Sequence, residues 1–221
     1  MSSSFISYPK QAVVGRPLPK SKIYQHSRVN QKLKDLFVDQ IEQIIWQYKL
    51  APETINLPTK PGVLEIQVFA IQLKTPTLHS DVLRCIDGAI PHPIIFELSF
   101  DGNAQTIAAY KRQSESDPKH RVLSDYFATP WQPGDTPRSA MPVALDLAGL
   151  YEQILQRLIP LPRRPQENLA TLLARVEQVK VKQRAIEKTA SQLGREKQFN
   201  RKVEINARLR QLQQDLQGMM Q

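Results

Sequence analysis

The sequence predicts an α/β protein of the α+β type, in which a small, mainly antiparallel sheet is packed by helices and followed by a basic, coiled-coil-like helical C-terminal arm. Short apolar segments separated by turn residues indicate about four strands between residues 64 and 127. Apolar residues that recur every three or four positions indicate helices around these strands. Prolines at positions 160, 162 and 165 separate this region from a long helical segment.

These patterns divide the chain into three parts. Residues 1–28 are expected to form a basic extended arm, because Pro17 and Pro19 disfavour helix in the residues around them. Residues 29–160 form the α/β domain, and residues 161–221 form the helical, coiled-coil-like arm.

The first helix is predicted over residues 29–49, where apolar side chains recur at spacings of three and four and build one stripe. The stripe consists of Leu33, Leu36, Phe37, Ile41, Ile44 and Tyr48. Residues 64–73 follow as a strand whose second half is apolar on both faces, as in a central strand. Residues 79–90 are predicted as a short helix that ends before Pro91.

The middle of the chain favours a hairpin. Residues 94–100 and 106–110 are predicted strands, and the Asp-Gly-Asn sequence between them indicates a tight turn, since these residues tolerate positive φ. A further strand is expected over residues 122–127. Residues 145–159 then present one apolar face and are predicted as the second long helix.

Residues 166–218 repeat apolar residues at the spacing of a coiled-coil seam. The seam consists of Leu169, Leu172, Val176, Val179, Ile186, Ala190, Leu193, Leu209, Leu212, Leu216 and Met219. The spacing is interrupted around residues 194–200. The arm is therefore either one kinked helix or an antiparallel hairpin, and Gly194 would allow the reversal.

Charge is distributed unevenly along the chain. Residues 1–34 hold seven basic and no acidic residues, residues 35–160 hold 10 basic and 15 acidic residues, and residues 161–221 hold 13 basic and six acidic residues. The basic ends of the chain predict contact with duplex DNA or with an acidic protein. The alternative is that their Lys and Arg side chains only keep the helix surfaces hydrated. The expected contact residues lie outside the apolar seam: Lys180, Lys182, Arg184, Lys188, Arg195, Lys197, Arg201, Lys202, Arg208 and Arg210.

The sequence contains no recognisable catalytic constellation. It lacks a Gly-rich phosphate loop and a nucleophile elbow, and its four histidines and one cysteine, Cys85, show no metal-ligand spacing, so we expect no cofactor and no metal. Cys85 is expected to be a small buried residue. A metal-dependent nuclease would need Glu42, Glu65, Glu97 and Lys111 to converge, but their spacing does not match the acid-x-Lys strand ending of such sites.

The sequence predicts a cytoplasmic protein with no membrane segment. It has no run of about 18 apolar residues, and its first residues lack the charged-then-apolar order of a signal peptide. A single cysteine excludes an internal disulfide, which agrees with a reducing compartment.

Five segments carry a family resemblance. They are residues 15–24 (GRPLPKSKIY), 46–57 (WQYKLAPETINL), 90–98 (IPHPIIFEL), 108–112 (AAYKR) and 196–206 (EKQFNRKVEIN). With these segments the chain resembles a bacterial family of uncharacterised proteins catalogued as domain of unknown function 4391. The resemblance implies a gene often placed beside helicases and DNA methyltransferases of restriction-like or anti-phage systems. It implies no catalytic residues, because none are defined for the family.

These observations favour a non-enzymatic accessory or interaction subunit of a DNA-processing or phage-defence complex. Its basic ends would contact duplex DNA or a helicase or methyltransferase partner. One alternative is a degenerate or cryptic metal-dependent nuclease. Another is a structural protein that forms a homodimer through its helical arm.

Overall fold

The computed structural model describes residues 5–27, 29–114 and 121–220. The chain divides into two compact units, residues 1–159 and residues 160–221. The first unit is mixed α/β and the second is helical, so the predicted fold class is confirmed. Within the described ranges, no helix combines the length and the apolar character that crossing a membrane requires.

The first unit alternates strands and helices. In chain order its elements are β1 (Ile6–Ser7), a 3₁₀ turn (Lys10–Ala12), β2 (Val13–Pro17), α1 (Lys20–Gln25), α2 (Gln31–Gln40), β3 (Ile41–Leu50), α3 (Pro52–Ile55), β4 (Ile66–Leu73), α4 (Ser80–Ala89), β5 (Ile94–Phe100), β6 (Asn103–Gln113), β7 (Arg121–Ala128), β8 (Gln132–Pro133), β9 (Ser139–Ala140) and α5 (Leu147–Leu158). The second unit contains α6 (Leu169–Arg195) and α7 (Phe199–Met220). The predicted strands and helices from β4 to α5 are confirmed, with ends that differ by a few residues.

One mixed sheet forms the frame of the first unit. Its strand order is β2-β3-β4-β5-β6-β7, and β8 pairs with the first residues of β6. Neighbouring strands are antiparallel except β4 and β5, which are parallel and joined by α4 as the crossover helix. The sheet is mainly antiparallel, as predicted, but it has seven strands because β2, β3 and β8 add to those expected.

Helices α1, α2 and α4 cover one face of the sheet. On this face Phe69 of β4 lies beside Phe96 of β5, and Ile86 of α4 joins the same buried cluster. Burial of each such side chain contributes roughly 1.5–3 kcal/mol relative to exposure, so this cluster is a main source of the unit's stability. Cys85 of α4 belongs to the cluster and is buried, as predicted.

Helix α5 packs against β6. Asp146 caps the helix, because its carboxylate accepts a hydrogen bond of 2.8 Å from the N–H of Gly149. The buried hydroxyl of Tyr151 donates to the carbonyl of Ala109 and accepts from the N–H of Lys111 at 3.0 Å. This hydroxyl therefore satisfies backbone groups of β6 while its ring fills the core.

The helix predicted over residues 29–49 is wrong after residue 40. Ile41–Leu50 form strand β3, which pairs with both β2 and β4. Ile41 and Ile44 are buried, and their spacing fits a helix stripe as well as a strand enclosed on both faces. Pairing with two neighbouring strands satisfies the backbone of this segment and decides in favour of the strand.

Two lysines bind the carbonyl groups at the end of α2. The ammonium of Lys20 donates to the carbonyls of Phe37 at 2.8 Å and Ile41 at 2.7 Å. The ammonium of Lys74 donates to the carbonyl of Val38 at 2.8 Å. The carbonyl of Phe37 also accepts the N–H of Ile41, and positive charge is favourable at a helix C-terminus. The change from helix to strand is thus stabilised by side chains from α1 and from the end of β4.

The sequence predicts an extended arm over residues 1–28, but the described part of this segment, residues 5–27, also contains a helix. Lys20–Gln25 form helix α1, and Val13–Pro17 form an edge strand of the sheet. Pro19 precedes the first turn of α1, where the fixed φ of proline is compatible with helix entry.

The second unit is an antiparallel hairpin rather than one long helix. Helices α6 and α7 are joined by residues 196–198, and Lys182 of α6 forms an ion pair with Asp215 of α7. The guanidinium of Arg175 also donates to the carbonyl of Met219 at 2.9 Å. Gly194 lies inside α6, so the chain reverses just after it.

Candidate nucleic-acid or partner interface

The basic residues predicted as contacts all lie in the helical hairpin, and most are exposed. The exposed ones are Arg184, Lys188, Arg195, Lys197, Arg201, Lys202, Arg208 and Arg210. Lys180 and Lys182 are half-buried. The ammonium of Lys182 lies 2.9 Å from Oδ2 of Asp215 and lowers the pKa of that carboxyl. Lys182 therefore helps to hold the two helices together.

Five of these residues lie in the turn of the hairpin or within about two helical turns of it. We call them the basic tip: Lys188, Arg195, Lys197, Arg201 and Lys202. Between residues 184 and 210 there are eight basic and three acidic residues, a local net charge of +5. A concentration of positive charge on a narrow pair of helices creates a field that attracts polyanions.

The carboxylate of Glu196 holds the turn at the tip. It accepts hydrogen bonds from the N–H groups of Lys197 at 2.8 Å and Gln198 at 2.9 Å, and these bonds lower its pKa. Arg201 and Lys202 follow in the first turn of α7, where positive charge opposes the helix dipole by about 0.3–1 kcal/mol for each residue. An anion bound at the tip would offset this repulsion.

Two exposed apolar side chains lie beside the basic tip. Phe199 is 78% exposed and Val203 is 54% exposed, and their i, i+4 spacing places them on one side of α7. An exposed aromatic ring among cationic residues can anchor a protein partner or stack on a base. The tip thus combines charge with a small apolar contact surface.

A buried ion pair stabilises the base of the hairpin. Arg175 and Glu167 form two hydrogen bonds, of 2.9 Å and 2.8 Å, and both side chains are less than 7% exposed. Hydrogen bonds from Arg175 and from the N–H of Arg164 lower the pKa of Glu167 to about 2. Arg164 also donates to the carbonyl of Gly218 at 2.9 Å, near the end of α7. These arginines satisfy helix-end carbonyls.

The four residues considered for a nuclease do not share a site. The carboxylate of Glu97 and the ammonium of Lys111 lie on opposite faces of the sheet, each within its own ion pair. Glu42 is exposed on β3, and Glu65 lies just before β4. Among the residues that the structure describes, no three His, Cys, Asp or Glu side chains are grouped so that they could hold a metal ion.

Comparison with known proteins decides the family. The family model described as "Domain of unknown function (DUF4391)" matches residues 6–216. The chain belongs to the DUF4391 family. The resemblance predicted from five sequence segments is therefore confirmed. No curated protein and no solved structure matches this DUF4391 chain.

A deeply buried charge pair of this DUF4391 chain, between Lys111 and Asp87, was not predicted from the sequence. The ammonium of Lys111 binds the carboxylate of Asp87 and the carbonyls of Asp87, Ile90 and His92 at 2.7–3.0 Å. The other carboxylate oxygen of Asp87 accepts a hydrogen bond from the hydroxyl of Tyr126. Burial raises the pKa of Asp87 and lowers the pKa of Lys111. The ammonium of Lys111 thus binds carbonyl groups at the C-terminal end of α4. Its three N–H donors are all used within the protein, so none is available to a substrate.

A second ion pair attaches the N-terminal segment of the DUF4391 chain to the sheet. Arg138 donates to both carboxylate oxygens of Glu97, at 2.9 Å and 2.7 Å, and to the carbonyl of Ile6 at 2.8 Å. The hydrogen bonds to Glu97 raise the pKa of Arg138. In the sequence, the only signal for this pair is an acidic residue within an apolar strand, and its partner is 41 residues away.

Proposed function

We propose that this chain is a non-enzymatic accessory subunit of a DNA-processing or phage-defence complex and binds duplex DNA through the basic tip. The observation that supports the proposal is the set of exposed cationic side chains on both sides of the turn between α6 and α7. Lysine and arginine that neutralise phosphates release condensed counterions, which supplies most of the affinity in sequence-independent DNA binding.

The shape of the hairpin supports phosphate contact rather than reading of bases. The cationic side chains point outward from two packed helices, and the one exposed aromatic residue beside them is Phe199, within the described part of the tip. Contacts of this kind position a protein on a duplex but carry no sequence information. We therefore assign sequence choice to a partner of the helicase or methyltransferase class, in the cytoplasm of a bacterial cell.

The test compares two variants that lose the same number of charges. One carries Lys197→Ala, Arg201→Ala and Lys202→Ala in the tip. The control carries alanine at three exposed lysines of the first unit, Lys10, Lys32 and Lys34. Each variant removes three positive charges from the formal net charge of +9, so a difference between them reports position rather than total charge.

Binding is measured by fluorescence anisotropy of a labelled 30-base-pair duplex across a series of salt concentrations. For the tip variant, we expect the slope of log affinity against log salt concentration to become shallower by about 2 to 3, since each phosphate contact contributes about 0.9. The control variant should keep the slope of the original chain. An equal decrease of the salt slope in the two variants would exclude the tip as a DNA contact. Absence of DNA binding by the original chain at low salt would exclude it as well.

A second candidate function is self-association through the hairpin. The exposed side chains of Phe199, Val203 and Val181 favour it, because apolar residues on one short hairpin gain from being covered by another copy. Light scattering of the original chain and of a Phe199→Ser, Val203→Ser variant distinguishes a dimer from a monomer. A dimer that becomes a monomer in the variant would support this function.

A further inference from the structure

A groove with a basic rim lies on the first unit, on the side of the sheet that carries α1 and α4. It has a volume of about 410 Å³ and is formed where the residues after β2, helix α1, strand β3 and the end of α4 meet. Leu18, Ile23, Trp46 and Ile90 line its apolar part. This volume lies at the lower end of the roughly 300–1,000 Å³ that is typical of ligand pockets, which is enough for one or two large side chains.

The apolar residues of the groove are held by the fold. Ile23 is buried in the main core, and Leu18, Trp46 and Ile90 pack against that core with part of their surface exposed. The indole N–H of Trp46 donates to the carbonyl of Tyr48 at 3.2 Å, so its orientation is restricted. A preorganised apolar surface of this kind binds a side chain without a large loss of conformational entropy.

The charges around the groove have one sign. Arg16 and Lys22 are among the residues that line it, and no Asp or Glu is. Arg16 and Lys22 are exposed and form no ion pair within the described residues. The first 34 residues of the chain contain no acidic residue at all, so the rim faces solvent with uncompensated positive charge.

The groove favours a side-chain contact over strand addition or nucleic acid. The adjacent edge strand β2 contains Gly15 at φ +63° and ends in Pro17, which has no N–H, and both features interrupt regular pairing along this edge. Duplex DNA presents phosphates to a protein surface but no side chain that could fill an apolar groove. A protein segment can supply an apolar anchor and negative charge together.

We propose that this groove docks an acidic segment of a partner protein, with one aliphatic or aromatic anchor beside Trp46 and flanking Asp or Glu residues on Arg16 and Lys22. The docking surface belongs to the first unit and does not depend on DNA binding by the basic tip. It provides the accessory subunit with a separate attachment point for its partner.

The probe is a random 12-residue peptide library displayed on phage. The library is selected on the full-length tip variant Lys197→Ala, Arg201→Ala, Lys202→Ala, so that the basic tip does not enrich acidic peptides. We expect enriched peptides to share an acidic composition around one aromatic or aliphatic residue. Their affinity should fall at least about tenfold in an Arg16→Glu, Lys22→Glu variant, because both charge contacts become repulsive. The matched variant Lys32→Glu, Lys34→Glu should bind the same peptides with an affinity within twofold of that of the chain on which they were selected.

Fluorescence places the peptide independently of charge. The chain has two tryptophans, so a Trp131→Phe variant leaves Trp46 as the single reporter. Binding of a selected peptide should shift the emission of Trp46 to shorter wavelength as water leaves the ring. A selection that yields no enriched peptide, peptides that bind the Arg16→Glu, Lys22→Glu variant equally well, or an unchanged Trp46 spectrum at saturation would each overturn the proposal. Loss of DNA binding in the tip variant would leave it unaffected.

Discussion

The ammonium nitrogen of Lys111 lies 2.7 Å from Oδ1 of Asp87, and each of these side chains is only 2% exposed. The pair joins β6 to the end of α4, and its two residues are 24 positions apart in the sequence. Burial disfavours the charged form of both groups, and their mutual attraction offsets that penalty. Removal of one partner leaves the other charged and unpaired in the core.

Lys111→Met should lower the free energy of unfolding by about 3–5 kcal/mol, because it leaves the Asp87 carboxylate without its cation. Urea unfolding followed by circular dichroism measures this change. The exposed Lys34→Met serves as the control and should change stability by less than about 0.5 kcal/mol. Asp87→Asn in the Lys111→Met background should recover part of the loss. A double variant whose loss equals the sum of the single losses would show that the two residues do not act as a pair.

Stability of the helical hairpin should depend on pH through Glu167. The pKa of Glu167 is about 2 in the folded chain, mainly because Arg175 donates to it, whereas its ordinary value is 4.5. The folded state therefore binds this proton less readily than the unfolded chain. The contribution of the ion pair is complete above pH 4.5 and is lost as the pH falls through about 2.

Urea midpoints measured at 222 nm between pH 6 and pH 2 test this dependence. The original chain should lose stability more steeply below pH 4.5 than a Glu167→Gln variant, which cannot take up that proton. Glu177→Gln, an exposed position of α6, should retain the original steepness. Parallel curves for the original chain and Glu167→Gln would contradict the prediction.

Lys20→Ala should lower the free energy of unfolding by about 1–2 kcal/mol, since the carbonyls of Phe37 and Ile41 lose a charged donor. Lys22→Ala, an exposed position of the same helix, should change it by less than about 0.5 kcal/mol. Chemical unfolding of the two variants in parallel provides the comparison. Equal losses would mean that helix propensity, and not the cap on α2, explains the effect.

Arg138→Ala should release the N-terminal segment from the sheet. The guanidinium is the group that connects Glu97 with the carbonyl of Ile6, so its loss removes three hydrogen bonds at once. We expect amide hydrogen exchange near residues 5–8 to become at least about tenfold faster as local opening becomes easier. Arg157→Ala, which removes a single side-chain hydrogen bond to Ser139, should have a smaller effect. Unchanged exchange at residues 5–8 would show that the segment is held by other contacts.

The sequence determined the elements in which local pattern and fold agree. Strand β4, the hairpin of β5 and β6, and helices α4 and α5 follow from apolar spacing and turn residues, which act over a few neighbouring positions. The break in the seam of the C-terminal segment marked the turn of the hairpin. The uneven charge along the chain likewise points to the C-terminal segment, where the cations of the basic tip are exposed.

Only the tertiary structure decided what depends on distant partners. Ile41–Leu50 became a strand because β2 and β4 pair with it on both sides, although its own spacing fitted a helix. Lys111 and Glu97 were candidates for one site until packing placed Asp87 and Arg138 beside them on opposite faces of the sheet. Burial, charge pairing and grooves arise from contacts between segments that are distant in the sequence. The pattern of residues within one segment therefore cannot predict them.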